Sequence, residues 1–328
     1  MKILEALQKK QFEISNHKRS GENGNREVSA VHSEGNTPPD LFADPNLKIG
    51  VPARELIGFG SFNNRSFHVA TESDLRNQFI SPILALKQNE SLHADFETRF
   101  VDPERVNSRL VAITNSNSSY SEEYRSLRTH ILHLSQKQKL QSIVVASARP
   151  EEGKSITALN LAWLLAQTDG LRALIIDSDL RRPSLNNYLG IGFEKGLSHV
   201  LDGETRLQDA ILRLEPSGLH LLPGGNARND VAELISGPKF RSIMNELRGM
   251  FDFIIVDAPP LGIFTDGAVL INHADGALLV VRANNTPSKD LDRILEGLPR
   301  ERMLGAVLNQ SEDILDERYY SHVYQVEN

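Results

Sequence analysis

Beyond Ser108 the chain repeats one pattern: short, almost wholly apolar runs of strand length, separated by longer stretches of helical character. The runs lie at residues 142–146, 173–176, 219–222, 253–256, 277–281 and 304–308, with helical stretches notably at 156–167 and 231–249. A strand that is apolar on both faces must be covered on both. Strands of this kind alternating with helices predict a parallel sheet with helices on either side. Tyr124, Leu127, Ile131 and Leu134 recur at helical spacing and predict an amphipathic helix before the first run. The expected fold is one α/β domain over residues 111–328, a doubly wound and mostly parallel sheet.

Residues 1–110 read differently, as a variable N-terminal region. From about 20 to 46 the chain is polar and rich in Gly, Asn, Ser, Glu and Pro. Such a stretch buries too little to offset its ordering entropy, so a disordered linker is expected there. Residues 47–110 hold only short apolar clusters such as Phe79, Ile80, Ile83 and Leu84, which define no fold by pattern. The first residues, MKILEALQKKQF, lack the apolar core of a signal peptide, and no run approaches the roughly 18 apolar residues of a membrane span. The net charge of −7, with no basic stripe, argues against a nucleic-acid partner. With no cysteine there is no disulfide framework and no thiolate metal site. The expectation is a cytoplasmic protein whose membrane association, if any, is borrowed.

The first candidate site lies where the run at 142–146 gives way to a helix. There Ala148, Arg149, Pro150, Glu151, Glu152, Gly153, Lys154, Ser155 and Ile156 match the P-loop pattern, with Ala148 where a first glycine often stands. Backbone N–H groups of such a loop and of the following helix N-terminus form an anion cradle. Gly153 admits close backbone approach. Lys154 supplies positive charge to the β- and γ-phosphates, and the Ser155 hydroxyl is a magnesium ligand.

Two further runs end in carboxylates. The run at 173–176 enters Asp177-Ser178-Asp179, and the run at 253–256 enters Asp257. In an open parallel sheet the ligand sits beyond the carboxyl ends of the strands, so these acids should face the P-loop. Three acids there, Asp177, Asp179 and Asp257, make a hard-oxygen Mg²⁺ site, in which Asp179 and, directly or through water, Asp257 join Ser155 as the expected ligands.

Residues 110–328 resemble the bacterial tyrosine kinases of capsule and exopolysaccharide synthesis. The P-loop and the Asp257 strand end resemble that family's deviant Walker A and Walker B motifs. Ile175 to Pro183, reading IIDSDLRRP, resembles its second aspartate motif. Gly196-Leu197-Ser198 with Leu201, the stretch from Ala232 to Ser236, and Thr265-Asp266 are further matches. Glu122, Arg125 and Arg128 fit the family's E-x2-R-x2-R motif, which implies an interface between subunits of a ring; by spacing alone they are three charges on one helical stripe. One departure is Glu151, where relatives commonly have glycine. A carboxylate beside the cradle repels phosphate, and losing glycine costs about 1 kcal/mol if the position needs positive φ.

The resemblance implies ATP-dependent phosphorylation of tyrosine, with Asp177, Lys154 and Asp179 as catalytic residues and ATP and Mg²⁺ as cofactors. Asp177 is the candidate acceptor of the tyrosine proton, since a hydroxyl of pKa about 10 is a poor nucleophile at neutral pH. Tyr319, Tyr320 and Tyr324, half of the chain's six tyrosines, lie in an acidic tail and are the expected phosphoacceptors. The implied partners are further copies of the chain, a membrane chain-length regulator that recruits and activates the kinase at the inner face of the cell membrane, and a phosphotyrosine phosphatase. Two rival readings share the fold: a partition-type switch ATPase without kinase activity, and a regulatory subunit that binds ATP and transfers nothing.

Overall fold

The computed structural model describes residues 96–311. The described residues begin with β1 (Glu97–Phe100), α1 (Val111–Thr114), α2 (Ser119–Lys137), β2 (Ser142–Ser147), α3 (Lys154–Ala166) and β3 (Ala173–Asp177). It continues through α4 (Leu185–Leu189), α5 (Leu197–Asp202), α6 (Leu207–Ala210), β4 (Leu212–Glu215), β5 (Leu219–Leu222) and α7 (Val231–Ser236). The last elements are α8 (Pro238–Met250), β6 (Phe253–Asp257), α9 (Asp266–His273), β7 (Gly276–Arg282), α10 (Ser288–Glu296) and β8 (Met303–Asn309).

All eight strands join one sheet in the order β1-β4-β5-β3-β6-β2-β7-β8. From β5 to β8 every pairing is parallel. The six expected strands are all present in this part. Side chains alternate between faces with the two-residue period of a strand. On β2, Ile143 and Val145 join one core while Val144 and Ala146 join the other. The first core is roofed by α2 and α3, and α3 is buried from Lys154 to Leu165. The second is roofed by α5, α7, α8 and α9. In α2 the predicted stripe is in place: Ile131 is fully buried, and Tyr124, Leu127 and Leu134 pack beside it.

Two strands escaped the apolar pattern, and both lie at one edge. β4 runs antiparallel to β5, and β1 runs parallel to β4. β4 reads Leu-Arg-Leu-Glu and buries only alternate residues, whereas all four residues of β1 are exposed. A strand covered on one face, or neither, needs no continuous apolar run. Residues 97–100 therefore belong to the sheet, and Val101, Val106 and Leu110 are buried, although the sequence assigns them to the variable region. The helical stretch at 231–249 is also two helices rather than one. Gly237 is extended (φ −68°, ψ 161°) before Pro238, which has no N–H to continue α7 and disfavours a helical residue ahead of it.

Among the described residues no helix is long and apolar enough to cross a membrane. The linker expected at 20–46 and the tail tyrosines lie outside the described residues.

Candidate active site

β6 lies between β3 and β2, so the carboxyl ends of these three strands meet at the middle of the sheet. Asp177 stands directly opposite Asp257 in the β3–β6 register. Between β2 and α3 the P-loop turns over this point. Gly153 caps α3 in the left-handed region, with φ 95°. A Cβ there would stand 2.0 Å from Asn309 Nδ2, so both conformation and space demand glycine. No side chain caps α3, so its first-turn N–H groups have no side-chain partner, which is what an anion cradle requires.

Lys154 enters this cluster from the first turn of α3. Its ammonium is 3.2 Å from Asp179 Oδ2, 3.4 Å from Asp257 Oδ1 and 3.1 Å from Ser155 Oγ. Burial alone would lower the Lys154 pKa, but the carboxylates of Asp257, Asp179 and Asp177 outweigh it and hold the lysine charged. Asp177 is fully buried. Its Oδ2 accepts from the backbone N–H groups of Ser184 (2.8 Å) and Leu185 (3.0 Å), while its Oδ1 has no hydrogen-bond partner. Desolvation, then the charge of Asp257, push the Asp177 carboxyl up to about 7. Asp257 is also raised, chiefly by burial, against the pull of Lys154 and a hydrogen bond from Ser155. The three acids thus play different parts: Asp179 and Asp257 enclose the lysine, while Asp177 faces the loop after β3. Among the described residues no group of three or more His, Cys, Asp or Glu side chains converges as a ready metal cage.

The Glu151 departure has a measurable consequence. Its φ is 63°, in the left-handed region, and its side chain is exposed to solvent. The glycine-like conformation is kept at the cost of strain, and the carboxylate stays in solvent. Glu122 and Arg125 form an ion pair with each other, and Arg125 Nη2 also donates to Ser116 O at 2.8 Å. Arg128 lies partly exposed on the same helix, α2.

A family model described as an AAA domain matches residues 140–300. The tyrosine-protein kinase YwqD of Bacillus subtilis (strain 168) is 33% identical over 207 residues, covering 62% of this chain and 87% of that protein. This chain belongs to the bacterial tyrosine-protein kinase family. The succinoglycan biosynthesis transport protein ExoP of Rhizobium meliloti (strain 1021) is 30% identical over 238 residues; the match spans 69% of this chain and only 30% of that longer protein. Among solved structures, the chimerical protein CapA2B2 superimposes with a TM-score of 0.59 at 28% identity, covering 74% of this chain and 99% of that one. These relatives favour the kinase reading of the sequence over both rivals.

Several residues around the site are placed by contacts that join distant parts of the chain. Arg181 donates to the buried Asp266 from Nε (2.8 Å) and to Asn229 O (3.1 Å), and lies 4.5 Å over the Phe264 ring. It braces the loop after β3 against the N-terminus of α9, which gives the Thr265-Asp266 match a physical role. Gly224 is required because a Cβ would meet Pro183 at 2.8 Å and approach Asp177. Asn160, fully enclosed in α3, accepts from Ala112 N and donates to Arg109 O, tying the entry segment to the helix behind the P-loop.

Proposed function

We propose that this kinase uses ATP and Mg²⁺ to phosphorylate Tyr319, Tyr320 and Tyr324 on the tail of a neighbouring subunit. The observation that carries the reading is the enclosed Lys154 ammonium beside an uncapped helix N-terminus, with Asp177 Oδ1 buried and unpartnered at the same strand ends. That set fits a nucleotide triphosphate: a cation and N–H donors for phosphate, and hard oxygens of Ser155, Asp179 and Asp257 for magnesium. With only these side chains available, the metal would complete its shell from phosphate and water. Bound Mg·ATP would supply the phosphoryl group and screen the carboxylates.

The chain's own residues do the rest. The α3 amides and Lys154 hold the phosphates and offset charge that develops in transfer. Asp177 accepts the proton of the attacking tyrosine hydroxyl, and the Ser184 and Leu185 amides fix its orientation. Each phosphate adds about −1.5 to −2 charge to a tail that already carries Glu312, Asp313, Asp316, Glu317 and Glu327 against Arg318. Repulsion from the carboxylate-lined site then releases the modified tail.

Glu122, Arg125 and Arg128 on α2 would join the subunits of a ring. A membrane chain-length regulator would recruit the kinase to the inner face of the membrane for exopolysaccharide or capsule synthesis, and a phosphotyrosine phosphatase would reset it. The direct test is incubation with ATP and Mg²⁺ followed by mass spectrometry. Tyrosine phosphate on the tail, abolished when all three tyrosines become Phe, is the expected result. Label on Tyr120, Tyr124 or Tyr188 instead would refute the tail mechanism, and release of inorganic phosphate alone would refute the kinase reading.

A further inference from the structure

A buried carboxylate must be fully paired or it destabilises its surroundings. Glu152 is such a group, fully enclosed inside the P-loop itself. Its Oε2 accepts from the Arg149 backbone N–H at 2.8 Å, across the loop. Its Oε1 accepts from the Thr286 hydroxyl, in the connection between β7 and α10. Its own carbonyl accepts from Asn309 Nδ2 at 2.9 Å, at the end of β8. Alongside, the Arg149 guanidinium pairs with Asp290 on α10. No residue of α10 is fully buried and only Ile294 of it packs against the second core, so polar ties carry much of this segment's hold on the P-loop.

The charge at this position works against the site it serves. A carboxylate behind a phosphate cradle repels the phosphates, so its value must lie in shape. A side chain here has to take an N–H from one side and an O–H from the other. We propose that Glu152 is a positioning residue: an internal brace that holds the P-loop in its phosphate-receiving shape and locks it to the Thr286 segment. The inference rests on the nucleotide-binding reading above. It touches no reacting atom and acts through the backbone amides that it aligns.

Charge and shape separate cleanly in two variants. Glu152→Gln keeps both bonds, because its carbonyl oxygen accepts from Arg149 N–H and its amide donates to the Thr286 oxygen. Glu152→Ala loses both. In the alanine variant KM for ATP should rise about tenfold, the size expected for a lost charge-assisted hydrogen bond, with kcat nearly unchanged. In the glutamine variant KM should stay within about threefold of wild type or fall, because the brace survives and the repulsion goes. ADP affinity by calorimetry should follow the same order. Amide hydrogen exchange of the nucleotide-free protein gives a readout independent of catalysis. The Arg149 amide should exchange faster in Glu152→Ala and remain protected in Glu152→Gln. Thr286→Val, which removes one hydroxyl and keeps the volume, should move exchange and KM in the alanine direction by a smaller factor, and it stands in should the alanine variant fail to fold.

Unchanged Arg149 exchange and unchanged KM in Glu152→Ala or Thr286→Val would overturn the brace. So would a glutamine variant as impaired as the alanine one, since that would make the charge, not the shape, the contribution. A wild type that binds no ADP would instead sink the nucleotide reading, while the exchange data would still decide the brace.

Discussion

The two ends of the central sheet both gather charge, half-buried at one and fully buried at the other, and they treat it in opposite ways. At the amino end, Asp275 accepts from the Gln141 and Ser142 backbone amides (3.0 and 2.8 Å), the Ser142 hydroxyl and two nitrogens of Arg248 (2.7 and 3.0 Å). Burial would raise its pKa, but Arg248 and these amides outweigh that and hold it below the usual carboxylate range. At the carboxyl end, Asp177 and Asp257 face each other across one register position with raised pKa values, and Asp177 leaves one oxygen unpaired. Glu151 adds backbone strain there. The amino end is organised for folding. The carboxyl end is held away from its own stability optimum, as expected where charge is kept ready for a ligand.

Substitution at each end should sharpen that contrast. The largest effect is expected at the amino end. Asp275→Ala removes the acceptor shared by two nitrogens of the half-buried Arg248 and by the Gln141 and Ser142 amides and should cost about 3 to 4 kcal/mol, read as a loss of urea midpoint at constant slope. Next comes His220, at the same end, packed edge-on to Phe96 (ring centroids 4.9 Å apart) and against Phe251 (5.0 Å). Desolvation lowers its pKa to about 4. The folded protein therefore refuses a proton that the unfolded chain accepts. Stability should fall as pH drops from about 6.5 towards 4, by about 3 kcal/mol in all. His220→Phe keeps the ring packing and should lose that acid limb; an identical pH profile would show that His220 is not its source.

At the carboxyl end the sign reverses. Glu151→Gly relieves a side chain at φ 63° and should stabilise the nucleotide-free protein by up to about 1 kcal/mol in thermal unfolding. A destabilised variant would mean that the greater freedom of glycine in the unfolded chain outweighs the strain.

The sequence made the parallel half of the fold legible because its strands are apolar on both faces. Asp177, Asp179, Asp257 and Lys154 could be placed because strand ends gather at one pole of such a sheet. The exposed strand β1 and half-buried β4 left no comparable trace, since an edge needs only alternate burial or none. The split between α7 and α8 was written in Gly237-Pro238, but the amphipathic pattern runs through it. Thr286, Asn309 and Arg181 act through long-range hydrogen bonds, and their partners lie too far along the chain for any local pattern to join them.

We infer that the buried carboxylates at the carboxyl end serve phosphoryl transfer at the expense of the fold. Asp177→Asn keeps an acceptor for the Ser184 and Leu185 amides but removes a charge facing Asp257. Its thermal stability and its tail phosphotyrosine, measured side by side at pH 8, test the claim most directly. Unchanged or raised stability with phosphotyrosine lost is the predicted result. A clear fall in stability with phosphorylation retained would contradict it.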